Sequence, residues 1–386
     1  MTILSGFIDL DTYSDREKNL YGRYCTDLYE PRRIMSEWST QVHIELSVNR
    51  DLDFKFNFGK EYIFRCTRIC DYYTSLWSCD YYTSMWLEIN ITNISEDIIW
   101  VDNLFHNIIE NLEFGPNHGC YQRFTPEILD AYAAFTRERD SKYFKMINPS
   151  THSGGAITMI LPIPIFFSRS THDAYPLSSL TYERTEIRIK LSALDNLIIS
   201  KDVNKLPIIN NFRVCVNGVV VNDAHRKYIM ESPSDRFIEG TVINKHQLIS
   251  NKPNSIQLNF DNKSIKAFFF MVRDTSNPKK YIELQNNVKL LYGSTTRLDQ
   301  SPSYFSYIQP EQQPSCIIPS APGYYMYSYA IDCMVTSAAT GSTNYSKISD
   351  STLVINDLFP TDTYEVVIIG ITIDCLRIYG GVSRIL

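Results

Sequence analysis

The sequence predicts a mainly β protein of the sandwich or barrel class, divided into two domains. Its 386 residues exceed what one hydrophobic core usually organises, since a domain typically holds about 100–150 residues. From about residue 41 onward, short β-like runs recur between turn signals, the pattern of sandwiches and barrels. The 26 Tyr and 20 Phe favour pleated, half-buried surfaces.

Residues 1–34 mix charges with Tyr and Gly without a sustained period and read as an irregular arm. Strands are then expected at Gln41–Val48, Glu61–Cys66, Ser84–Ile91, Ile98–Val101, Ile157–Phe167 and Glu186–Leu191. In the last of these, Ile187, Ile189 and Leu191 alternate with Glu186, Arg188 and Lys190, the period of a strand with one face in water. The second half continues with Phe212–Val221, Ser255–Phe260, Lys266–Val272, Val288–Tyr292, Tyr324–Ile331, Ser351–Ile355 and Tyr364–Arg377. Helices are confined to connections. Thr125, Pro126 and Glu127 supply an N-cap, a first-turn proline and a dipole-matching acid, and Ile128, Leu129, Tyr132 and Phe135 follow at helical spacing. A second short helix is expected at Asp223–Met230.

Four local features need separate treatment. Residues 70–87 hold a tandem near-repeat, Cys70-Asp-Tyr-Tyr-Thr-Ser-Leu-Trp77-Ser and Cys79-Asp-Tyr-Tyr-Thr-Ser-Met-Trp86-Leu. Two copies are too few for a solenoid, and an odd period turns each copy to the opposite face, so the duplication reads as a lengthened loop. Asn217-Gly218 between valines is a hairpin signal, yet one strand running through Gly218 with a bulge or close backbone approach is the reading favoured here. The segment 301–323 carries five prolines with Tyr304, Phe305 and Tyr307; it cannot be a central strand and reads as a long surface loop. Near the C-terminus Leu376 and Ile378 are expected on the core face of the last strand of the second domain and Arg377 away from it, with one irregularity near Asp374-Cys375.

Charge and motif searches exclude more than they include. The formal net charge of −6 supplies no basic face, so direct binding to nucleic-acid phosphates is disfavoured. The longest apolar runs, Ile157–Phe167 and Val366–Ile373, are strand-length, and Met1–Leu10 lacks the pattern of a secretory leader, which points to synthesis in the cytosol. Nine scattered cysteines (25, 66, 70, 79, 120, 215, 316, 333, 375) then read as free thiols that pack as small hydrophobes. Sequons at Asn90, Asn93, Asn262 and Asn344 carry little weight in that compartment. No phosphate loop, nucleophile elbow or His-Glu-x-x-His motif occurs. His43-x-Glu45 resembles half of a cupin-type facial triad, but no later His has a matching context, and both residues fit the solvent face opposite Val42, Ile44 and Leu46. Cys66, Cys70 and Cys79, or His118 with Cys120, miss the usual zinc spacings. Asp223, His225, Arg226 and Lys227 read as a solvated helix face, and Lys279-Lys280 is too short a run for nucleic acid. No cofactor, metal, catalytic residue or small-molecule substrate is expected.

Several segments resemble, in collinear order, the major capsid protein family of nucleocytoplasmic large DNA viruses. The first is Leu161–Arg169, with Pro162, Pro164, Phe166 and Phe167, followed by Ala174–Tyr182 with Pro176, and by Glu186–Leu191. Val214–Asn222 leads into a basic short helix with Arg226 and then Arg236-Phe-Ile238-Glu239. Ser255–Phe260, ending in Asn259-Phe260, precedes Ile265–Arg273. Gly341-Ser-Thr-Asn344-Tyr-Ser346-Lys-Ile is similar to the family's Gly-Ser-x-Asn-Phe-Ser-Arg-Ile loop, and Cys375-Leu376-Arg377-Ile-Tyr-Gly-Gly to its terminal strand. Trp100–Glu113, the 125–136 helix and Lys142–Asn148 fall in the same order, and the match spans roughly residues 40–386. Departures at Lys347-Ile-Ser349 and Tyr175-Pro176, and a short chain, leave lineage and principal-subunit status open beside a minor capsid paralogue or a poxvirus-like scaffold.

The resemblance implies two consecutive eight-stranded jelly rolls with a few short connecting helices, at 35–231 and 236–386, joined by Glu231–Ser234. It implies a structural subunit that forms a homotrimeric, pseudo-hexagonal capsomer of an icosahedral shell, assembled in the host cytoplasm. Its partners would be neighbouring capsomers and minor capsid proteins or an underlying membrane layer. A cupin-like oxygenase is the enzymatic alternative, tested by a third ligand near His43 and Glu45. A glycan-binding lectin sandwich is another, weakened by the absence of a leader.

Overall fold

The computed structural model describes residues 40–48, 55–66, 79–94, 98–117, 119–138, 141–148, 155–169, 173–199, 206–221, 223–275, 280–336, 339–348 and 350–385. The expected arm at 1–34 lies outside the described residues. Those described gather into two compact units, one of 40–130, 141–238 and 375–385, the other of 131–138 and 239–374.

The first unit is built from β1 (Thr40–Glu45), β2 (Ser47–Val48), β3 (Glu61–Arg65), β4 (Tyr81–Ile94), β5 (Ile109–Pro116), β6 (Gln122–Phe124), β7 (Gly155–Pro162), β8 (Tyr175–Pro176), β9 (Thr185–Leu191) and β10 (Ile208–Val220). One sheet runs β1-β10-β4-β7, with β8 also on β4; the other runs β2-β3-β9-β5-β6. The expected strand Gln41–Val48 is therefore two strands. The chain leaves one sheet for the other at buried Leu46, whose amide still donates to Val214 O (2.9 Å). Strand β9 keeps the expected alternation, Ile187, Ile189 and Leu191 inward, and its outward Arg188 and Lys190 meet Glu186 and Glu110.

Three expectations need correction here. Ile98–Val101 is no strand but a single bridge, Trp100 to Ile198, because the apolar run is too short to hold a ladder. The run Ile157–Phe167 stops pairing at Pro162; proline brings no N–H to a ladder, and Phe166–Arg169 turns helical with both rings buried. The second repeat copy, read as loop, supplies the start of β4, with Cys79, Tyr81, Tyr82, Met85 and Leu87 buried. The copy Cys70–Ser78 lies outside the described residues. Strand β10 does run through Gly218, with a register shift at Asn217/Gly218. A Cβ on Gly218 would sit 2.1 Å from Cys79 Sγ, so bulge and close approach coincide.

The second unit takes up β11 (Ser234–Gln247), β12 (Asn254–Gln257), β13 (Ser264–Asp274), β14 (Tyr281–Ile282), β15 (Val288–Tyr292), β16 (Thr295–Gln300), β17 (Tyr325–Ser328), β18 (Thr343–Asn344), β19 (Ser351–Ile355) and β20 (Tyr364–Tyr379). Its sheets run β11-β20-β13, with β14, β17 and β18 sharing the far edge of β13, and β12-β19-β15-β16. Counting the strand positions of each unit in chain order, both give one sheet of positions 1-8-3-6 and one of 2-7-4-5. That is the strand order of an eight-stranded jelly roll, present twice. Phe268, Phe270, Val272, Leu290, Leu353 and Ile368 fill the space between the sheets of the second roll.

Residues 126–136 form the expected helix with proline in its first turn, and 223–231 the second. Short helices at Leu104–Ile108 and Lys142–Ile147 were not expected from local signals. The segment 301–323 holds no strand, but it is not simply a surface loop. Tyr304–Ile308 makes a π-helical turn running into Gln309–Glu311, and Phe305 is fully buried against Phe270 at 5.3 Å between ring centroids.

Leu376 and Ile378 are buried and Arg377 points away; the strand is buried continuously from Val366 to Ile373, and half-buried Asp374 interrupts that run. Two details of that expectation change. Residues 375–385 gather with the first unit, and β20 is not the last strand. Gly380 and Gly381, at φ 62° and 82°, make a two-residue turn into β21 (Val382–Ile385), which pairs back on β20.

Candidate functional site

The structure places the family-like positions at strand ends, in turns, in ion pairs and in buried packing clusters. In the first unit Pro162 ends β7 opposite Trp86, and the Pro164 carbonyl accepts Arg169 Nε and Nη2 at 3.3 and 3.2 Å. Phe166 and Phe167 pack with Phe114 and Tyr175 in one ring cluster, centroids 5.2–6.1 Å apart. Pro176 pairs with Tyr81 from β8, an edge position where a missing N–H costs little. Arg226 reaches from its helix to fully buried Asp80, Nε to Oδ1 at 2.7 Å and Nη2 to Oδ2 at 3.2 Å; the Val221 amide adds 2.8 Å to the same carboxylate. Arg377 holds Asp235 through two bonds of 2.7 Å, pinning β20 to β11 at that end. Ile238 is buried with Leu376 in this unit.

In the second unit Glu239 is buried with Lys266 Nζ at 2.6 Å from its Oε1 and the Tyr132 hydroxyl at 3.2 Å from Oε2. Lys266 also donates to the Val335 carbonyl, so the ammonium is surrounded by acceptors. Asn259 accepts the Asp261 amide at 3.2 Å in an exposed turn, while Phe260 is buried edge-on to Tyr345 at 4.7 Å. Phe260 lies so close to Gly370 that a Cβ there would stand 2.6 Å from its ring. Gly341 abuts the Tyr329 carbonyl, and Asn344 Oδ1 caps the next turn by accepting Ser346 N at 2.9 Å and Ser346 Oγ at 2.6 Å. Tyr292, Tyr329 and Tyr345 link hydroxyls at 2.7 and 2.8 Å, and burial pushes Tyr329 and Tyr345 well above the usual phenol range.

Sequence reasoning missed Lys266, Asp80, Asp235 and Gly370. The signal for Lys266 was present: a lysine within the run Ile265–Val272 needs a buried counter-charge. Nothing local marks Asp80 or Asp235, whose partners lie 146 and 142 residues away.

Burial pushes the Cys66 and Cys79 thiols up to about 12, far from the thiolate that binds metal or attacks carbon. His43 and Glu45 are exposed, and His43 stacks on Trp86 at 5.1 Å. Cys70 and His118 lie outside the described residues, and among those described no three His, Cys, Asp or Glu side chains gather as a metal holder. Tyr182, 82% exposed, and Tyr379, 62% exposed, flank the β20–β21 turn, where the Tyr182 amide donates to Gly381 O at 3.0 Å. Large exposed rings held on a fixed turn suit contact with another protein.

Two family descriptions match the chain in succession: "Major capsid protein N-terminus" over residues 44–219 and "Large eukaryotic DNA virus major capsid protein" over residues 225–381. The chain is 28% identical to the major capsid protein of Costelytra zealandica iridescent virus, over 98% of this chain and 97% of that protein. It is 25% identical to that of Frog virus 3 (isolate Goorha), over 91% and 87%. Among solved structures, a quasi-atomic model of the PBCV-1 virus capsid is similar with a TM-score of 0.77 at 16% identity, over 93% of this chain and 99% of that one. The Faustovirus major capsid protein gives 0.71 at 8% identity, over 94% and 97%.

Proposed function

The chain belongs to the major capsid protein family of large eukaryotic DNA viruses, and from that membership we propose a shell subunit that closes into a homotrimer and tiles an icosahedral capsid. Its role is structural. The observation that carries the trimer is the repeated strand order: a chain with two equivalent rolls presents two equivalent blocks, and a threefold assembly of such chains has a pseudo-hexagonal outline. Hexagonal outlines fill a surface without gaps.

In this reading the rolls correspond to 35–231 and 236–386, and the fastened positions fix their shape while exposed rings and loops meet neighbours. Partners are other copies of the chain, minor capsid proteins and an underlying membrane layer. The chain sits in the virion capsid after assembly in the host cytoplasm, without a catalytic step or cofactor. A formal charge of −6 argues against direct contact with the genome. Light scattering of the purified protein tests the trimer: three times 44.7 kDa is expected, and a clean monomer at micromolar concentration would overturn it.

A further inference from the structure

The proline-rich segment and the loop after β17 bring two thiols together. Cys316 Sγ lies 3.8 Å from Cys333 Sγ, between residues 17 apart in sequence. Polar side chains hold both backbones in place around them. Gln313 Oε1 accepts the Cys333 amide at 3.0 Å and Ser328 Oγ at 3.2 Å, and its Nε2 reaches Ala330 O at 3.3 Å. Ser315 Oγ donates to Asp332 Oδ2, and the Ile317 amide is fixed on Phe135 O at 2.8 Å. A disulfide needs about 2.05 Å between sulfurs, so closure asks the two sulfurs to approach by less than about 2 Å.

We propose that Cys316 and Cys333 are an oxidisable pair that closes to an intrachain disulfide when the folded protein meets a low-molecular-weight disulfide such as oxidised glutathione. Cys316 is partly exposed and Cys333 fully buried, which sets the order of events. The Cys316 thiolate attacks one sulfur of the oxidant, giving a mixed disulfide and releasing one thiolate. Cys333, losing its proton to solvent, attacks the Cys316 sulfur and expels the second thiolate. Two electrons pass to the oxidant, which leaves as two thiols. The hydrogen bond to Cys333, then burial, and the Asp332 carboxylate hold the Cys316 thiol well above its usual range, with Lys266 opposing. The first attack is therefore slow at neutral pH and speeds up as pH rises. The bond staples 301–323 to the loop before β18 and closes a loop between residues 17 apart in the unfolded chain. None of this depends on the capsid reading.

The test uses the full chain, reduced, then exposed to oxidised glutathione at pH 8.5. Trypsin leaves both cysteines in one peptide, Leu298–Lys347, which contains no other cysteine. That peptide is expected to lose two hydrogens in mass, with the sulfurs protected from alkylation until dithiothreitol is added. The thermal midpoint of the wild type should rise by about 5 °C on oxidation, and that of Cys333→Ser should not. A peptide that ends with glutathione on Cys316, or with two alkylatable thiols, overturns the proposal, and both readouts come from the wild type.

Discussion

Strands β9 and β13 sit in the two rolls and are buried in different ways. In β9 every second residue faces solvent, whereas β13 is buried from Ser264 to Arg273. The second face of β13 is covered within its own unit: Phe269 stacks on Phe135 at 5.0 Å and meets Tyr132 edge-on at 6.1 Å. A strand with one wet face places charges outward and pairs them weakly. A strand covered on both faces turns any polar residue into a buried one, and Lys266 then requires Glu239. The second roll holds an ion pair with both members buried, Lys266 with Glu239, whereas the buried Asp80 of the first roll is paired with an arginine that stays partly exposed.

The largest effect should come from breaking the core pair. Lys266→Met leaves Glu239 buried without its partner and should cost about 3–5 kcal/mol, while the rim change Lys190→Met should cost about 0–1 kcal/mol. Urea melts compare them, and the double variant Lys266→Met with Glu239→Leu should recover most of the loss. If both single variants cost the same, core and rim do not differ as described.

Next is the strand that contributes residues to both units. Leu376→Ala should cost about 2–5 kcal/mol because the side chain is fully buried. Arg377→Ala should cost about 1 kcal/mol or less, its side chain being 43% exposed despite the paired bonds to Asp235. Equal losses would reverse the faces assigned to the strand.

Alkali should separate the rolls more gently. The Cys66 and Cys79 thiols rise from 9.0 to about 12, and the Tyr325 hydroxyl from 10.0 to about 12, each chiefly by burial. A group whose folded value is raised stays protonated longer in the fold. Its contribution is complete below the unfolded value and is lost as pH climbs toward the folded one. Loss therefore begins near pH 9 around β3 and β4, and near pH 10 around Tyr325, with Cys316 replaced by Ser. Hydrogen exchange, corrected for intrinsic rates, should show β4 amides loosening at lower pH than those of β13. The opposite order would mean that buried thiols do not set the alkaline limit. The smallest effect belongs to the repeat: deleting Cys70–Ser78 should leave the melting temperature within a few degrees, because β4 is drawn from the second copy and loop length has a small entropic cost. Loss of soluble protein would show that the first copy is part of the core.

The sequence reveals what is local. Period-two runs mark β9 and β19, and Thr125-Pro126 marks a helix start, because these signals lie within a few residues. The collinear segments marked the double roll. Strand β6, three residues long, and the fragments β14 and β18 have no period to detect; they exist because β5 and β13 offer them an edge. Fastenings such as Asp80 with Arg226 depend on chain folding across long separations and leave no trace in either local sequence.

The contact of Gly218 with Cys79 also reaches beyond this one molecule. No atom can be added at 218 while Cys79 keeps its sulfur, since the two would stand 2.1 Å apart. The Cys79 Cβ and the Tyr81 carbonyl would also stand 2.7 and 2.9 Å from an added Cβ, so across related capsid proteins glycine should persist at 218 wherever 79 carries a side chain. The same joint constraint ties 370 to 260, where an added Cβ would meet the phenylalanine ring at 2.6 Å. Each pair leaves a statistical coupling between residues that are far apart in the chain, and an alignment of relatives would recover the facing of β10 on β4 without any coordinates.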